Sequence, residues 1–207
     1  MKDRVLAFFG AFNPPTIAHV ELAKLALDET GCKQLFFVPS QKFYVTEEQK
    51  KDYCFEDYER LEMIYAACRD DNRLNYITYD INAEVQPRTY DTLCWMRDEM
   101  KVDPVLLVGM DQFLNMKTGW KHVPEIAKEF GIVVISRHNG PSRKALAEDE
   151  FYREILPYVT HIKVPTEYKN VSSSGARTVI ERMRKDLKTL REILPYNIYE
   201  YVKETYL

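Results

Sequence analysis

A short segment near the N-terminus carries residue types suited to binding an anion. Gly10 permits a tight turn after the apolar run Val5–Phe9, and Thr16 and His19 follow three residues apart. At this spacing both side chains lie on one face of the first turn of a helix, beside its unpaired backbone N–H groups. A hydroxyl, an imidazole and the positive end of a helix dipole predict a phosphate site. The residue types leave open that Thr16 only caps the helix and His19 packs on a sheet.

A second segment of similar character lies near the C-terminus. Ser172, Ser173 and Ser174 precede Gly175, and Arg177 falls in the first turn of a predicted helix. Hydroxyls, backbone amides and a guanidinium at a helix start can bind an anion, although a redundant N-cap and a surface arginine are the alternative. Because both segments are predicted to follow strands of one parallel sheet, they can face one crevice, and two phosphate sites suit a triphosphate.

Several familiar mechanisms are excluded because their sequence patterns are missing. The chain has no G-x-x-x-x-G-K-[ST] phosphate loop, no G-x-G-x-x-G dinucleotide turn and no protein-kinase motif set. The patterns G-x-S-x-G of serine hydrolases and H-E-x-x-H of zinc proteases are absent as well. We therefore expect chemistry that depends on binding phosphates and positioning them.

Composition predicts a globular protein with a sizeable core. The 207 residues are 45% hydrophobic and 29% charged. Lys and Arg number 29 against 32 Asp and Glu, and this net charge of −3 gives no general attraction to nucleic acid or to an anionic membrane. The four cysteines lack zinc-ligand spacing, which predicts reduced thiols in a cytoplasmic protein. No apolar stretch reaches transmembrane length.

The elements that must position these segments follow from the hydrophobic pattern. The predicted strands are Val5–Phe9, Leu35–Val38, Tyr76–Tyr79, Val105–Val108, Ile132–Ile135 and His161–Val164. Helices are predicted between them and in the tail, among them Thr16–Asp28, Ser174–Leu187 and Tyr196–Tyr206. Strands separated by helix-length crossovers predict an α/β fold with a doubly wound, mostly parallel sheet and C-terminal helices.

The organisation along the chain predicts a single domain over residues 1–207, with the sheet core in about 1–165 and a helical tail bearing the second segment in 166–207. Residues 41–53 are rich in Lys and Glu and are predicted to form a mobile loop. A solvated loop and a substrate lid are both open for this stretch.

The two anion-binding segments resemble motifs of a known superfamily. Gly10–His19 is similar to the [H/T]-x-x-H signature of nucleotidyltransferases, and Val171–Arg177 is similar to their second motif, of I-S-S-T-x-x-R type. The particular resemblance is to nicotinate/nicotinamide mononucleotide adenylyltransferases and covers nearly the whole chain. Further similar elements are Leu107–Asp111, Gly119–Lys121, Val134–Arg137 and the tail Ile193–Tyr206.

Three positions depart from the family pattern. Thr16 matches the eukaryotic-type members, whereas many bacterial members have histidine there. Ser174 stands where threonine is common, and this exchange keeps the hydroxyl. Arg88-Thr89 stands where the bacterial nicotinate enzymes tend to have Tyr-Thr, so the preference for nicotinate or nicotinamide stays open.

The resemblance implies a Rossmann-like nucleotidyltransferase domain that transfers AMP from ATP to nicotinate or nicotinamide mononucleotide, forming the dinucleotide and pyrophosphate. It implies Mg²⁺ bound mainly through the ATP phosphates, with no protein ligand named. The expected partners are ATP and the pyridine mononucleotide, without nucleic acid or membrane, and self-association stays open. The alternatives are another small-molecule adenylyl- or cytidylyltransferase of the superfamily and a dinucleotide-binding sensor without turnover.

The resemblance also implies roles for individual residues. Catalysis is assigned to Thr16, His19 and Arg177. ATP binding is assigned to Gly10, Ala11, Phe12, Asn13, Arg137, Ser172, Ser173 and Ser174. Mononucleotide binding is assigned to Thr89, Tyr90, Gly109, Asp111 and Trp120, with Trp120 stacking on the pyridine ring. A core role for Trp120 and an N-cap role for Asp111 are the open alternatives.

Overall fold

A parallel sheet forms the centre of the fold. The computed structural model describes residues 1, 3–136, 141–164 and 187–206. Its strands are β1 (Val5–Gly10), β2 (Gln34–Pro39), β3 (Leu74–Tyr76), β4 (Pro104–Gly109), β5 (Ile132–Ser136) and β6 (Val159–Lys163). In the described residues these six strands form one parallel sheet in the order β3-β2-β1-β4-β5-β6. The strand order reverses at β1, which confirms the predicted doubly wound α/β fold.

Helices follow most of the strands. Those in the described residues are α1 (Ile17–Thr30), α2 (Asp57–Cys68), α3 (Tyr79–Asn82), α4 (Thr89–Asp98), α5 (Met110–Gly119), α6 (Val123–Phe130), α7 (Arg143–Leu146), α8 (Glu150–Ile155), α9 (Leu187–Ile193) and α10 (Tyr196–Tyr206). A π-helical turn covers Tyr44–Glu48, and a 3-10 turn covers Leu156–Tyr158. No helix in the described ranges is long and apolar enough to cross a membrane.

Burial explains why the strands appear in the sequence as continuous apolar runs. The first five residues of β1 and of β4 are all buried. These two strands pair in parallel with Leu6 opposite Val105. A strand covered on both faces has no solvent face on which polar residues would alternate. At β6 the pattern is interrupted by exposed residues, as expected for a strand at the edge of the sheet.

The third strand differs from its prediction. Tyr76–Tyr79 was expected to be extended, but β3 ends at Tyr76, and Thr78 is the N-cap of α3. Ile77 still donates its N–H to Phe37 O at 3.0 Å, after which the chain turns into the helix. Of the predicted strand only Ile77 is buried, and its last two residues, Thr78 and Tyr79, belong to the helix start.

The tail agrees with its prediction where it is described. The Tyr196–Tyr206 helix is confirmed, and a further helix, Leu187–Ile193, precedes it. Most of the predicted helix Ser174–Leu187 lies outside the described residues.

The chain divides into two compact units. Unit 1 contains Met1–Phe9, Leu25–Leu35 and Pro87–Lys169, and unit 2 contains Gly10–Lys24, Phe36–Gln86 and Asn170–Leu207. In unit 1, Arg4 donates to Phe130 O at 2.6 Å and pairs with Asp103 at 2.8 Å. In unit 2, α10 packs against α2, and Asn197 donates to the side chain of Asp70 at 3.2 Å. A single domain over 1–207 stays a prediction.

The end of α6 provides a test of the backbone geometry in unit 1. Gly131 donates its N–H to Ile126 O and Ala127 O, and its φ of 78° and ψ of 161° belong to a region that essentially only glycine occupies. An added Cβ would lie no closer than 3.6 Å to its neighbours. We expect Gly131→Ala to lower the free energy of unfolding by about 1–3 kcal/mol through backbone strain alone, measured by urea denaturation.

Gly119→Ala is the matched control for this substitution. Gly119 is the last residue of α5, and a Cβ added there would meet nothing within 4 Å. Its effect should stay within about 0.5 kcal/mol of zero. Equal effects of the two substitutions would contradict the assignment of the cost to the backbone of Gly131.

Candidate functional site

Thr16 and His19 form the start of α1 in unit 2. Thr16 is the residue before the helix and is fully buried, whereas His19 is the third helical residue and is partly exposed. The N–H of Thr16 donates to Nδ1 of His19 at 3.1 Å, and Oγ1 of Thr16 lies 2.8 Å from the same nitrogen. In a capping box, a glutamate or glutamine at this position accepts the same N–H. His19 therefore takes part in capping α1.

This contact determines which nitrogen of the neutral imidazole carries the proton. A backbone N–H can only donate, so Nδ1 of His19 must accept. In the neutral ring the proton is then on Nε2, and that nitrogen is a hydrogen-bond donor. The alternative expected Thr16 to cap the helix, whereas this contact is made by the side chain of His19. Donation from Nε2 to a phosphate stays a prediction.

Phe12 supports the imidazole from the preceding loop. Its φ is 42°, in the left-handed region, and its side chain is buried. The ring packs edge-on against His19, with 5.3 Å between centroids, and against Phe37, with 5.1 Å. A Cβ added to Gly10 would lie 3.0 Å from Cζ of Phe12, a distance at which the ring would have to move. Gly10 is the last residue of β1 and has no left-handed φ, so glycine is favoured here by the close approach of the Phe12 ring rather than by the turn.

Asn13 joins this loop to the chain before α2. Its side chain is buried; Nδ2 donates to Tyr53 O at 2.8 Å, and Oδ1 accepts the N–H of Phe55 at 2.9 Å. The amide thus makes the pair of hydrogen bonds that a neighbouring strand would make. The side chain of Asn13 is committed to holding the loop.

Residues 41–53 are more ordered than the predicted loop. The Tyr44–Glu48 turn buries Val45 completely, and Lys51 donates its N–H to Val45 O at 3.2 Å. At the start of the segment, the N–H of Gln41 donates to the Gln86 side chain at 2.7 Å. The structure thus replaces a plain loop by a helical turn anchored through Val45, while Glu47 and Glu48 in that turn are exposed, as a solvated segment requires. A lid function stays a prediction.

Arg60, on α2, was not identified from the sequence. Its side chain is fully buried and donates to Ala11 O at 2.6 Å and to Ser40 O at 2.5 Å. Its guanidinium also pairs with the carboxylate of Asp57. Its burial could have been inferred from helical spacing, because Arg60 lies three residues before Met63 and so on the buried face of the helix.

In unit 1, the predicted mononucleotide-binding residues Thr89 and Tyr90 are the first two residues of α4. The hydroxyl of Tyr90 donates to Glu129 at 2.9 Å, and its ring lies against that of His122, with 5.2 Å between centroids. The hydrogen bond to Glu129 raises the pKa of Tyr90 to about 12. The phenol is therefore a protonated group already bonded within the protein.

The remaining predicted residues of unit 1 belong to α5. Gly109 is its N-cap, so the N-cap alternative for Asp111 is wrong; Asp111 is the exposed second residue of the helix. A Cβ added to Gly109 would meet nothing within 4 Å, which shows open space beside the helix start. Trp120 follows the last residue of α5 and is partly exposed, so it is not a fully buried core residue.

The other predicted site residues belong to segments that the structure does not describe. Arg137, Ser172, Ser173, Ser174 and Arg177 lie outside the described residues, and their roles stay predictions. In the parts of the chain that are described, no three His, Cys, Asp or Glu side chains converge to hold a metal ion.

Comparison with known proteins gives concordant results. Residues 7–179 match the profile of a family described as cytidylyltransferase-like. A Clostridium acetobutylicum protein named "Probable nicotinate-nucleotide adenylyltransferase" is 26% identical over 208 residues, covering 100% of this chain and 99% of that protein. An Arabidopsis thaliana "Nicotinamide/nicotinic acid mononucleotide adenylyltransferase" is 28% identical over 193 residues, covering 86% and 80%.

A solved structure shares the fold. Plasmodium falciparum nicotinic acid mononucleotide adenylyltransferase complexed with NaAD matches with a TM-score of 0.74 at 16% identity, over 98% of this chain and 95% of that one. At this level of identity the match concerns the arrangement of strands and helices.

The two hydrogen bonds of Asn13 allow a direct test of the loop. In Asn13→Asp the donor to Tyr53 O is lost and a buried negative charge faces that carbonyl. We expect the free energy of unfolding to fall by about 2–3 kcal/mol, measured by chemical denaturation. Asn82→Asp is the control, because the amide of Asn82 bonds Thr78 at an exposed position. Similar losses in both variants would contradict the structural role of the Asn13 amide.

Proposed function

Because the chain belongs to the cytidylyltransferase-like family, we propose that it transfers AMP from ATP to nicotinate or nicotinamide mononucleotide, releasing pyrophosphate. The names of relatives that align with 86–100% of the chain support this reaction. The structural observation that carries the proposal is the contact between Thr16 and His19. With Nδ1 accepting, the neutral and partly exposed imidazole carries its proton on Nε2 at a helix N-terminus, which suits donation to a phosphate ligand.

The reaction needs no nucleophile from the protein. A phosphate oxygen of the mononucleotide attacks the α-phosphorus of ATP, a P–O bond forms, and the bond to the β-phosphate breaks in line with it. Catalysis then consists of positioning the two phosphates and stabilising the charge that develops on the leaving pyrophosphate. Nε2–H of His19 and the first-turn amides of α1 would donate to the α- and β-phosphates.

The other ATP contacts divide between backbone and side chains. The side chains of Phe12 and Asn13 are buried, so their part in ATP binding would be to shape the loop and offer main-chain groups. Arg177, with the serines at 172–174, would hold the β- and γ-phosphates, and Arg137 would contact ATP as well. Mg²⁺ held through the phosphates would supply further positive charge to their oxygens.

The mononucleotide would be bound by residues of unit 1. Trp120 is partly exposed at the end of α5, where its ring can stack on a pyridine. Asp111 is exposed in the first turn of α5 and can accept a hydrogen bond from a ribose hydroxyl. Because the hydroxyl of Tyr90 is bonded to Glu129, Thr89 and Tyr90 would act through their N–H groups on the pyridine carboxylate or amide.

The cysteines suit a protein that acts in the cytoplasm, where we propose this chain works. Cys32, Cys54, Cys68 and Cys94 are free thiols. Burial raises the pKa of Cys68 to about 12 and raises those of Cys32 and Cys54. Such thiols remain protonated and unreactive in a reducing compartment.

The proposed function is tested with the purified chain, ATP, Mg²⁺ and either nicotinate or nicotinamide mononucleotide. We expect dinucleotide and pyrophosphate in equal amounts, quantified by chromatography and by a coupled phosphate assay. The ratio of kcat/KM for the two mononucleotides identifies the physiological pyridine. Turnover of neither substrate, together with tight binding of the dinucleotide, would contradict the proposal and indicate a sensor.

The role of His19 is tested by substitution. His19→Ala should lower kcat by about 10²–10³-fold, the cost of losing one preorganised donor to developing charge. His19→Gln retains an acceptor for the N–H of Thr16, so it should preserve the stability of α1 while kcat stays low. His161→Ala, on the edge strand β6, is the control and should leave kcat unchanged. A rise in KM alone would contradict the donor role.

A further inference from the structure

We propose that Arg60 is a positioning residue that fixes the phosphate-binding loop by holding the chain where β1 and β2 end. This inference rests on the proposed function for the loop's ligand. Ala11 follows the last residue of β1, and Ser40 follows the last residue of β2. The guanidinium of Arg60 donates to the carbonyls of both residues, at 2.6 and 2.5 Å. One buried side chain thus joins the exits of two strands.

The ion pair with Asp57 extends this connection to residues 41–53. The carboxylate of Asp57 neutralises Arg60 and, through Oδ1, accepts the N–H of Lys42 at 2.7 Å. Ser40 also donates its N–H to Gly10 O at 3.0 Å, beside the carbonyls that Arg60 holds. Displacement of the guanidinium would therefore release the loop after β1 and the start of the 41–53 segment together.

Burying the charged guanidinium of Arg60 costs desolvation free energy, which a purely structural contact could avoid by using an uncharged side chain. The two terminal nitrogens, Nη1 and Nη2, donate to the two carbonyls and to Asp57, whereas the buried Nε has no hydrogen-bond partner in the described residues. The terminal contacts therefore compensate the burial of the charge, and removing one of them would be costly. The planar guanidinium presents its donors in a rigid fork, whereas the ammonium of a lysine is a single point that cannot reproduce this geometry. Arg60 is suited to holding two carbonyls at a fixed separation.

The carbonyl of Ala11 is connected to His19, the proposed catalytic residue, through Phe12, which follows Ala11 in the chain. The next residue is Phe12, whose left-handed backbone places its ring against the imidazole of His19. A shift of Ala11 would move this ring and alter the position of Nε2. Misplacement by about 1 Å can cost about 10²-fold in rate. The role of Arg60 should therefore appear in kcat more than in KM.

The test compares Arg60→Lys with Arg73→Lys. Arg73 pairs with Asp71 at 2.7 Å, at a partly exposed site between α2 and β3, so it controls for loss of an Arg–Asp pair in the same unit. Steady-state kinetics with ATP and the preferred mononucleotide are measured at a temperature where circular dichroism shows both variants folded. Hydrogen–deuterium exchange is followed in peptides covering residues 10–19 and 40–45.

We expect Arg60→Lys to lower kcat by about 30–100-fold while KM for ATP changes by less than about 3-fold. Amide exchange in residues 10–19 should accelerate by about 10-fold or more, and Arg73→Lys should change none of these quantities. Asp57→Asn, which keeps an acceptor for the N–H of Lys42, should shift kcat and exchange in the same direction by a smaller factor. It becomes the deciding variant if Arg60→Lys does not fold.

Two results would overturn the proposal. One is a kcat and an amide-exchange rate in Arg60→Lys equal to those of the wild type. If Arg60→Lys does not fold, the same result in Asp57→Asn counts instead. The other is a lower unfolding temperature without any change in kcat or local exchange, which would reduce Arg60 to a structural contact. A wild-type chain that forms no dinucleotide would instead contradict the proposed function, and the exchange measurements would still test whether Arg60 fixes the loop.

Discussion

The loop that connects a fully buried strand to the next helix starts inside the protein. Its backbone N–H and C=O groups must therefore find hydrogen-bond partners there. The loop from Gly10 to Thr16 meets this constraint partly with side chains: His19 accepts the N–H of Thr16, and Arg60 donates to Ala11 O. The side chain of Asn13 in turn bonds the backbone on either side of residue 54. Buried main-chain groups left without partners would cost more than these contacts gain, so the loop depends on them.

The same contacts would prepare the loop for the proposed phosphate ligand. The imidazole of His19 is held by Thr16 through Nδ1 and by the ring of Phe12 from the side. A group held in this way loses little conformational entropy when a phosphate binds, and it needs no rearrangement as charge develops. Stability and proposed activity are therefore coupled in this loop, because the residues that satisfy its backbone also orient its donor.

The sequence predicted the parts of this arrangement that depend on short spacings. Thr16 and His19 are three residues apart, and helical geometry alone places them together. The buried strands β1 and β4 follow from local patterns in the same way. The boundary of β3 was missed because a run of aromatic and β-branched residues can continue from a strand into a helical turn. Local rules do not distinguish these two cases.

The role of Arg60 required the tertiary structure. Its partner Ala11 is 49 positions away, and an arginine on an apolar helix face has no local signature that identifies a distant carbonyl. The same holds for Asn13, whose partners are 40 and 42 positions away. A proline-rich loop gives Asn13 the appearance of a turn residue. Such long-range hydrogen bonds are specified by the whole fold rather than by either segment.

The tautomer of His19 bears on the class of reaction. With Nδ1 accepting from the main chain, the neutral ring offers a donor at Nε2 and no second acceptor. A reaction that begins with a hydroxyl nucleophile benefits from a base that removes its proton. A phosphate monoester has a second pKa of about 6 and is already largely ionised at neutral pH, so it can attack without such a base. A fixed donor at this position therefore fits transfer to a phosphate, where stabilisation of the departing pyrophosphate is the greater need.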